Sequence, residues 1–307
     1  MKTAVVALML AGSGTALLGE TIPESLGRRF EYDRRQPLDV QEAVIRDEGG
    51  VSLRDVSYSS PAGGRVTAYL AAPSGGGPFP AILFGHWGYG TRTEFLAEAL
   101  AYARAGVVSL LVDYPWVRPQ PHRRALKELV DGEHDRGVYA QAVVDLMRGV
   151  DYLETLPMVD PSRLAYVGHS YGAQWGAVLS GIERRIRCFV LVGGVPSAAS
   201  IWMESQQPEI VEVRNAVPQE TMSRYLEAVG ALDPIRYVPY AAPAPLLFQF
   251  ARFERYFDEP AMKRYFEAAS QPKQVLWYDT GHELADPKAF ADRAAWLSRQ
   301  LGFQPVP

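Results

Sequence analysis

The sequence predicts an α/β fold: a mostly parallel central sheet with helices on both faces and a small insertion before the penultimate core strand. Three observations carry that prediction. Residues 81–84, 107–112, 164–167, 188–192 and 245–250 are short, apolar runs, the pattern of strands buried on both faces of a parallel sheet. Segments of helical periodicity separate them, and such alternation argues for a sheet covered on both sides. The rhythm breaks across residues 196–240, which hold Trp202, several prolines and an amphipathic piece at residues 222–229.

Each element has its own justification. Residues 1–19 begin with Lys2 and an apolar run over 4–10, followed by small residues. That pattern reads as a secretory signal peptide and predicts export (periplasmic or secreted), with a cytoplasmic location as the alternative. Residues 20–50 are polar without sustained periodicity and predict a wrapping N-terminal arm with one helix near residues 40–46. Strand-like runs at 51–58 and 65–72 are joined by a turn at Pro61 to Gly64, which reads as a hairpin. An alanine-rich helix over 94–105 follows the strand at 81–84, and a long polar loop over 117–135 follows the strand at 107–112. Tyr139, Ala142, Val143, Leu146, Val150 and Leu153 recur at the spacing of one amphipathic helix face. Asp160 and Pro161 then turn the chain into the run at 164–167. Beyond the insertion, Pro260 opens a helix at a first-turn position it tolerates, a strand spans 273–278, and Asp286 caps a final helix. One α/β domain over residues 51–307, with its insertion at 196–240, is expected.

Composition narrows the function classes. The 307 residues are 48% hydrophobic and 21% charged, ordinary for a globular chain with a sizeable core. A net charge of −4 gives no basic excess for a nucleic-acid partner. Cys188 is the sole cysteine, so no internal disulfide forms, and its apolar run predicts a buried, inert thiol. Outside the leader no stretch reaches the roughly 18 apolar residues that span a bilayer, so no integral membrane segment is expected in the mature chain.

The chemistry concentrates at Gly168, Ser170 and Gly172. A Gly-x-Ser-x-Gly pentapeptide between an apolar run and a helix is the form of a sharp strand-to-helix turn with an exposed serine at its apex. Serine is a weak nucleophile and needs a base, itself oriented by a third group. Of five histidines, His122 and His134 fall in the polar loop, and His169 lies inside the turn with its side chain expected to point away from Ser170 Oγ. His282 follows the last strand directly, behind Gly281, where it can reach over the sheet edge. Tyr171 follows the serine at a helix start, where its amide can face a developing negative charge. No His-x-x-x-His spacing suggests a metal, and no Gly-Lys-Ser/Thr or dinucleotide fingerprint suggests a phosphate-bearing cofactor. No cofactor is therefore expected.

These residues, in the order serine, acid, histidine, resemble the α/β-hydrolase superfamily over residues 50–303, and within it the dienelactone-hydrolase-like and acetyl-xylan-esterase-like members. The resemblance implies an α/β-hydrolase fold and serine hydrolysis of carboxylic esters, with a small-molecule ester as substrate. One departure counts: dienelactone hydrolases carry cysteine at the turn where this chain has Ser170, which favours general serine-hydrolase chemistry over their lactone substrate. The family places its acid after the penultimate core strand, which implies Glu254, with Asp258 as the alternative although helix capping also explains it. Gly85 to Gly90 resembles the family's His-Gly-x-Gly loop with Trp87 replacing a glycine, so the second oxyanion amide is that of Trp87 or Gly88. Asp113, at the end of a strand, is expected to hold the neighbouring loop. Tyr89, Tyr114, Trp116 and Trp202 are the candidate pocket residues. An oligopeptidase-type serine peptidase and a non-catalytic hydrolase-fold binding protein are the alternative functions.

Overall fold

A computed structural model of the protein describes residues 20–304 and 306. The signal peptide expected over residues 1–19 lies outside them. A single helical turn, α1 (Glu24–Gly27), precedes β1 (Gln41–Glu48), β2 (Val51–Ser59), β3 (Arg65–Pro73) and β4 (Phe79–Gly85). Then come α2 (Leu96–Arg104), β5 (Val108–Val112), α3 (Gly132–Thr155), β6 (Val159–His169), α4 (Tyr171–Ile182) and β7 (Ile186–Val192). Three short helices, α5 (Ala198–Trp202), α6 (Pro208–Ala216) and α7 (Gln219–Gly230), form most of the insertion. The chain closes with β8 (Leu246–Phe253), α8 (Glu259–Ala268), β9 (Lys273–Gly281) and α9 (Pro287–Leu301).

The strands form one sheet in the order β1-β2-β3-β5-β4-β6-β7-β8-β9. Pairing is antiparallel from β1 through β3 to β5 and parallel from β5 to β9. Successive strand residues point to opposite faces, so a strand buried on both sides must be apolar throughout. In β4, Ala81 and Leu83 enter the core shared with α3 and α4, while Ile82 and Phe84 enter the core beneath α2 and α9. β7 divides its residues the same way, with Phe189 and Leu191 on one side and Cys188 and Val190 on the other.

Three expectations need correction. Residues 40–46 are not helical, because β1 begins at Gln41. Val44 and Ile45 are 65% and 51% exposed, so no buried face favours a helix there. Gly49 and Gly50, at φ +60° and +77°, make the two-residue turn that folds this segment back along β2. Arg54 then bridges across to Glu42 at 2.9 Å, a cross-strand charge pair that favours this register. The polar loop ends earlier than expected, since Asp131 accepts the His134 amide at 3.0 Å and caps α3 at Gly132. Asp160 and Pro161 lie within β6, where the register to β4 shifts between Phe79 and Ala81.

Candidate active site

β6 ends in a turn that no side chain could enter. A Cβ on Gly168 would lie 2.4 Å from the Gly172 carbonyl carbon, and one on Gly172 would lie 2.0 Å from the Gly85 oxygen. Ser170 between them has φ +54° and ψ −112°, a strained conformation held by its amide's hydrogen bond to the Val192 carbonyl at 2.8 Å. The strain lifts the hydroxyl off the carboxyl end of the sheet, where open α/β folds place their ligands.

The loops after β8 and β9 reach the same point. Ser170 Oγ lies 2.9 Å from His282 Nε2, and His282 Nδ1 lies 2.7 Å from Glu254 Oε2. The Glu254 side chain is 2% exposed, and its other oxygen accepts the Arg255 and Tyr256 amides at 2.9 and 3.0 Å. Those acceptor duties favour a carboxylate, which in turn places the Nδ1 proton on His282 and leaves Nε2 as an acceptor. Asp258 is elsewhere: its Oδ1 accepts the Ala261 amide at 2.8 Å and caps α8, so it is not brought to His282. Serine, imidazole and buried carboxylate in this sequence form an arrangement able to deprotonate the hydroxyl as it attacks.

The loop after β4 approaches from the opposite side. His86 Nδ1 meets the Trp87 carbonyl at 2.6 Å, while its Nε2 accepts the Tyr114 amide at 3.1 Å. This is a neutral Nδ1–H imidazole, and burial does hold its pKa below the ordinary histidine value. The Gly90 amide also donates to the Trp87 carbonyl, at 3.0 Å. In a trans peptide the next N–H points the opposite way from that carbonyl, which turns the Gly88 amide away from His86. Among the described residues no acceptor takes the Gly88 amide. The Trp87 amide, the other expected donor, is in contrast already bound to Glu94 Oε2 at 2.6 Å. Tyr171, the first residue of α4, has an amide with no intrahelical acceptor.

These groups border a cavity of about 320 Å³. Tyr89 and Trp202 line it, joined by Trp87, Ile201, Ile210 and Phe257. Glu128 stands in the wall and accepts the hydroxyls of Tyr89 at 2.9 Å and Tyr171 at 3.0 Å. Tyr114 and Trp116 do not line the cavity. Tyr114 is 1% exposed, with its hydroxyl against that of Tyr166 beneath the turn, and Trp116 stacks on it and donates its indole N–H to the Gly88 carbonyl. Both brace the loop from behind. Asp113 holds the same region, accepting the Arg92 amide and the Thr67 hydroxyl. His134 packs against the Ala125 carbonyl at 2.9 Å, while His169 turns from Ser170 Oγ towards Glu94.

Glu94, Glu128 and Ile210 are site residues that sequence reasoning did not pick out. Only Glu94 has a signal, the need of the buried His169 for a polar partner.

Comparison with known proteins adds to the geometry. The model of the acetyl xylan esterase family (AXE1) matches residues 36–196. Esterase FrsA from Citrobacter koseri is 29% identical over 160 residues, which are 52% of this chain and 35% of that protein. The chain thus spans about a third of the length of the curated relatives it matches. Acetyl xylan esterase from Paenibacillus sp. R4 superposes with a TM-score of 0.77 at 20% identity, over 91% of this chain and 93% of the other. Acetyl xylan esterase 1 from Thermoanaerobacterium sp. JW/SL YS485 does so with a TM-score of 0.76 at 17% identity, over 92% and 96%. At these identities the superpositions establish the α/β-hydrolase fold.

Proposed function

The chain belongs to the acetyl xylan esterase family, and from that premise we propose that it hydrolyses carboxylic esters through an acyl-enzyme on Ser170. The observation that carries the proposal is the unbroken relay from Ser170 Oγ through His282 to Glu254, at 2.9 and 2.7 Å. In the first step His282 Nε2 takes the hydroxyl proton as Ser170 Oγ bonds to the ester carbonyl carbon. The carbonyl π electrons move to oxygen, which the Gly88 and Tyr171 amides receive; losing one such donor typically costs about 3 kcal/mol of barrier. Collapse breaks the bond to the alcohol, which leaves with the proton from His282. Water then repeats the sequence on the acyl-serine and releases the acid.

Glu254 keeps the imidazole in the tautomer the first step needs and stabilises the imidazolium that follows. The cavity beside Ser170, of about 320 Å³, favours short acyl groups such as the acetyl named in the family's description. The insertion supplies Ile201, Trp202 and Ile210 to one wall. The leader-like pattern of residues 1–19 supports export. Among the described residues, no helix is long and apolar enough to cross a membrane.

Labelling with a fluorophosphonate probe tests the reading. The parent protein should label and Ser170→Ala should not; undiminished labelling of the variant would remove Ser170 from the chemistry. A series of nitrophenyl esters should show kcat/KM falling as the acyl chain lengthens beyond acetate.

A further inference from the structure

Behind Ser170 lies a second imidazole–carboxylate contact that the relay does not use. His169 Nδ1 is 2.6 Å from Glu94 Oε1, and His169 Nε2 is 3.0 Å from the carbonyl oxygen of His282. The other oxygen of Glu94 takes the Trp87 amide at 2.6 Å. The side chains are 9% and 19% exposed.

Proton counting constrains this contact. A carbonyl oxygen only accepts, so His169 Nε2 must carry a proton. A neutral imidazole would then turn the Nδ1 lone pair against a carboxylate oxygen at 2.6 Å, where lone pairs repel. A proton must therefore lie between His169 and Glu94. Burial alone would lower the His169 pKa, but the Glu94 hydrogen bond and charge outweigh it and leave the value raised.

We propose that Glu94 and His169 are positioning residues whose shared proton fastens the oxyanion loop and the His282 backbone to one another. The inference rests on the assignment of Ser170, His282 and the Gly88 amide in the proposed function. One end of the pair fixes Trp87, the residue before the free Gly88 amide, and the other fixes the carbonyl of the base. Acceptor and base are thereby held in register across three loops. Loss of the shared proton as the pH rises sets Nδ1 against Oε1 and releases both ends. Other charged groups around the pair are the His282–Glu254 relay, Glu283 with its partner Arg255, and Arg293 with its partner Glu98. The neutral imidazole of His86 also senses Glu94.

Glu94→Gln separates the shared proton from simple packing. The glutamine oxygen can accept the Trp87 amide while its NH₂ donates to His169 Nδ1, so every bond is kept without a titratable proton. The parent's fluorophosphonate labelling rate and kcat on nitrophenyl acetate should fall along an alkaline limb, and Glu94→Gln should lack that limb. Its kcat should be roughly tenfold lower at neutral pH, because a neutral hydrogen bond replaces a charge-assisted one, with KM little changed. Glu94→Ala, which releases Trp87 as well, should lose roughly 100-fold, on the scale of a disrupted oxyanion donor.

A proton NMR spectrum of the parent provides a second measurement that needs no variant to fold. A downfield resonance separate from that of the His282–Glu254 contact should disappear with the same midpoint as the alkaline limb. An unchanged limb in Glu94→Gln, or no second resonance, overturns the inference while parent labelling at Ser170 leaves the proposed function standing. Labelling that persists in Ser170→Ala instead overturns the proposed function itself.

Discussion

Changing Glu254 to glutamine is a demanding test of the relay, because the two side chains have the same shape. The buried carboxylate serves three donors: His282 Nδ1 on one oxygen at 2.7 Å, and the Arg255 and Tyr256 amides on the other at 2.9 and 3.0 Å. Glutamine has one acceptor oxygen. Two backbone N–H groups claim it, since the reverse orientation would set an NH₂ against both. The NH₂ then faces His282 Nδ1, which can accept it only by giving up its proton. That proton moves to Nε2, and the nitrogen that should receive the Ser170 proton becomes a donor. Replacing an orienting acid by its amide in this way typically lowers kcat roughly 10⁴-fold, about 5 kcal/mol of barrier. Nitrophenyl acetate turnover, with circular dichroism to verify folding, measures the effect. Asp258→Asn is the paired control: asparagine caps a helix as well as aspartate does, so kcat should stay within about twofold of the parent. A loss below about tenfold in Glu254→Gln, or an equal loss in Asp258→Asn, would refute the tautomer argument.

Three further predictions follow from packing and burial. Gly172→Ala would drive a methyl group to 2.0 Å from the Gly85 carbonyl oxygen, with backbone on both sides. It should destabilise the fold by more than about 4 kcal/mol, and a melting temperature within about 2 °C of the parent would contradict the geometry. Burial raises the Asp233 pKa from 3.8 to about 6, so the folded state holds this proton more tightly than the unfolded state. The resulting cost is absent below pH 3.8, grows up to pH 6 and is constant above it. Asp233→Asn, which keeps the acceptor for the Ala198 amide, should therefore raise stability at pH 7 by up to about 2 kcal/mol after allowance for partial solvation. Urea midpoints should show little change at pH 4, and an equal gain at both pH values would refute the titration account. Cys188 is fully buried in β7, and burial pushes its thiol far up. A chromogenic disulfide reagent should modify it only as fast as the protein unfolds, and rapid modification of the native protein would disprove its inertness.

What could be read from the sequence divides along physical lines. The apolar strand runs and the glycines around Ser170 were legible because both answer to sterics that act within a few residues. His282 was legible from its place directly after a strand. Glu254 and Asp258 both follow β8 within a few residues; family resemblance favours the first, and the helix-capping position of Asp258 gives the second a role of its own. The helix expected near residues 40–46 is a strand instead because a glycine turn and a cross-strand charge pair set the conformation, and neither leaves a periodicity of apolar residues. The burial of Tyr114 and Trp116 was hidden for a related reason. Their hydroxyl and indole N–H find partners in Tyr166 and Gly88, distant in sequence, while Tyr89, from the same stretch of loops, reaches into the cavity. The choice between Trp87 and Gly88 depends on how one peptide plane is turned, which no residue pattern records.

That peptide plane has a further consequence. His86 and Gly90 fix the Trp87 carbonyl, and Glu94 fixes the Trp87 amide, from different directions. The dipole ending in the Gly88 N–H is thus aligned by the protein's own hydrogen bonds. Bulk water presented with a nascent alkoxide must rotate many molecules out of their own network, and that reorganisation makes up much of the uncatalysed barrier. A dipole locked in advance needs no such rotation. On the proposed assignment of the Gly88 amide, the loop's rigidity is part of its chemistry: hydrogen bonds that look purely structural set how little the surroundings must change when charge appears.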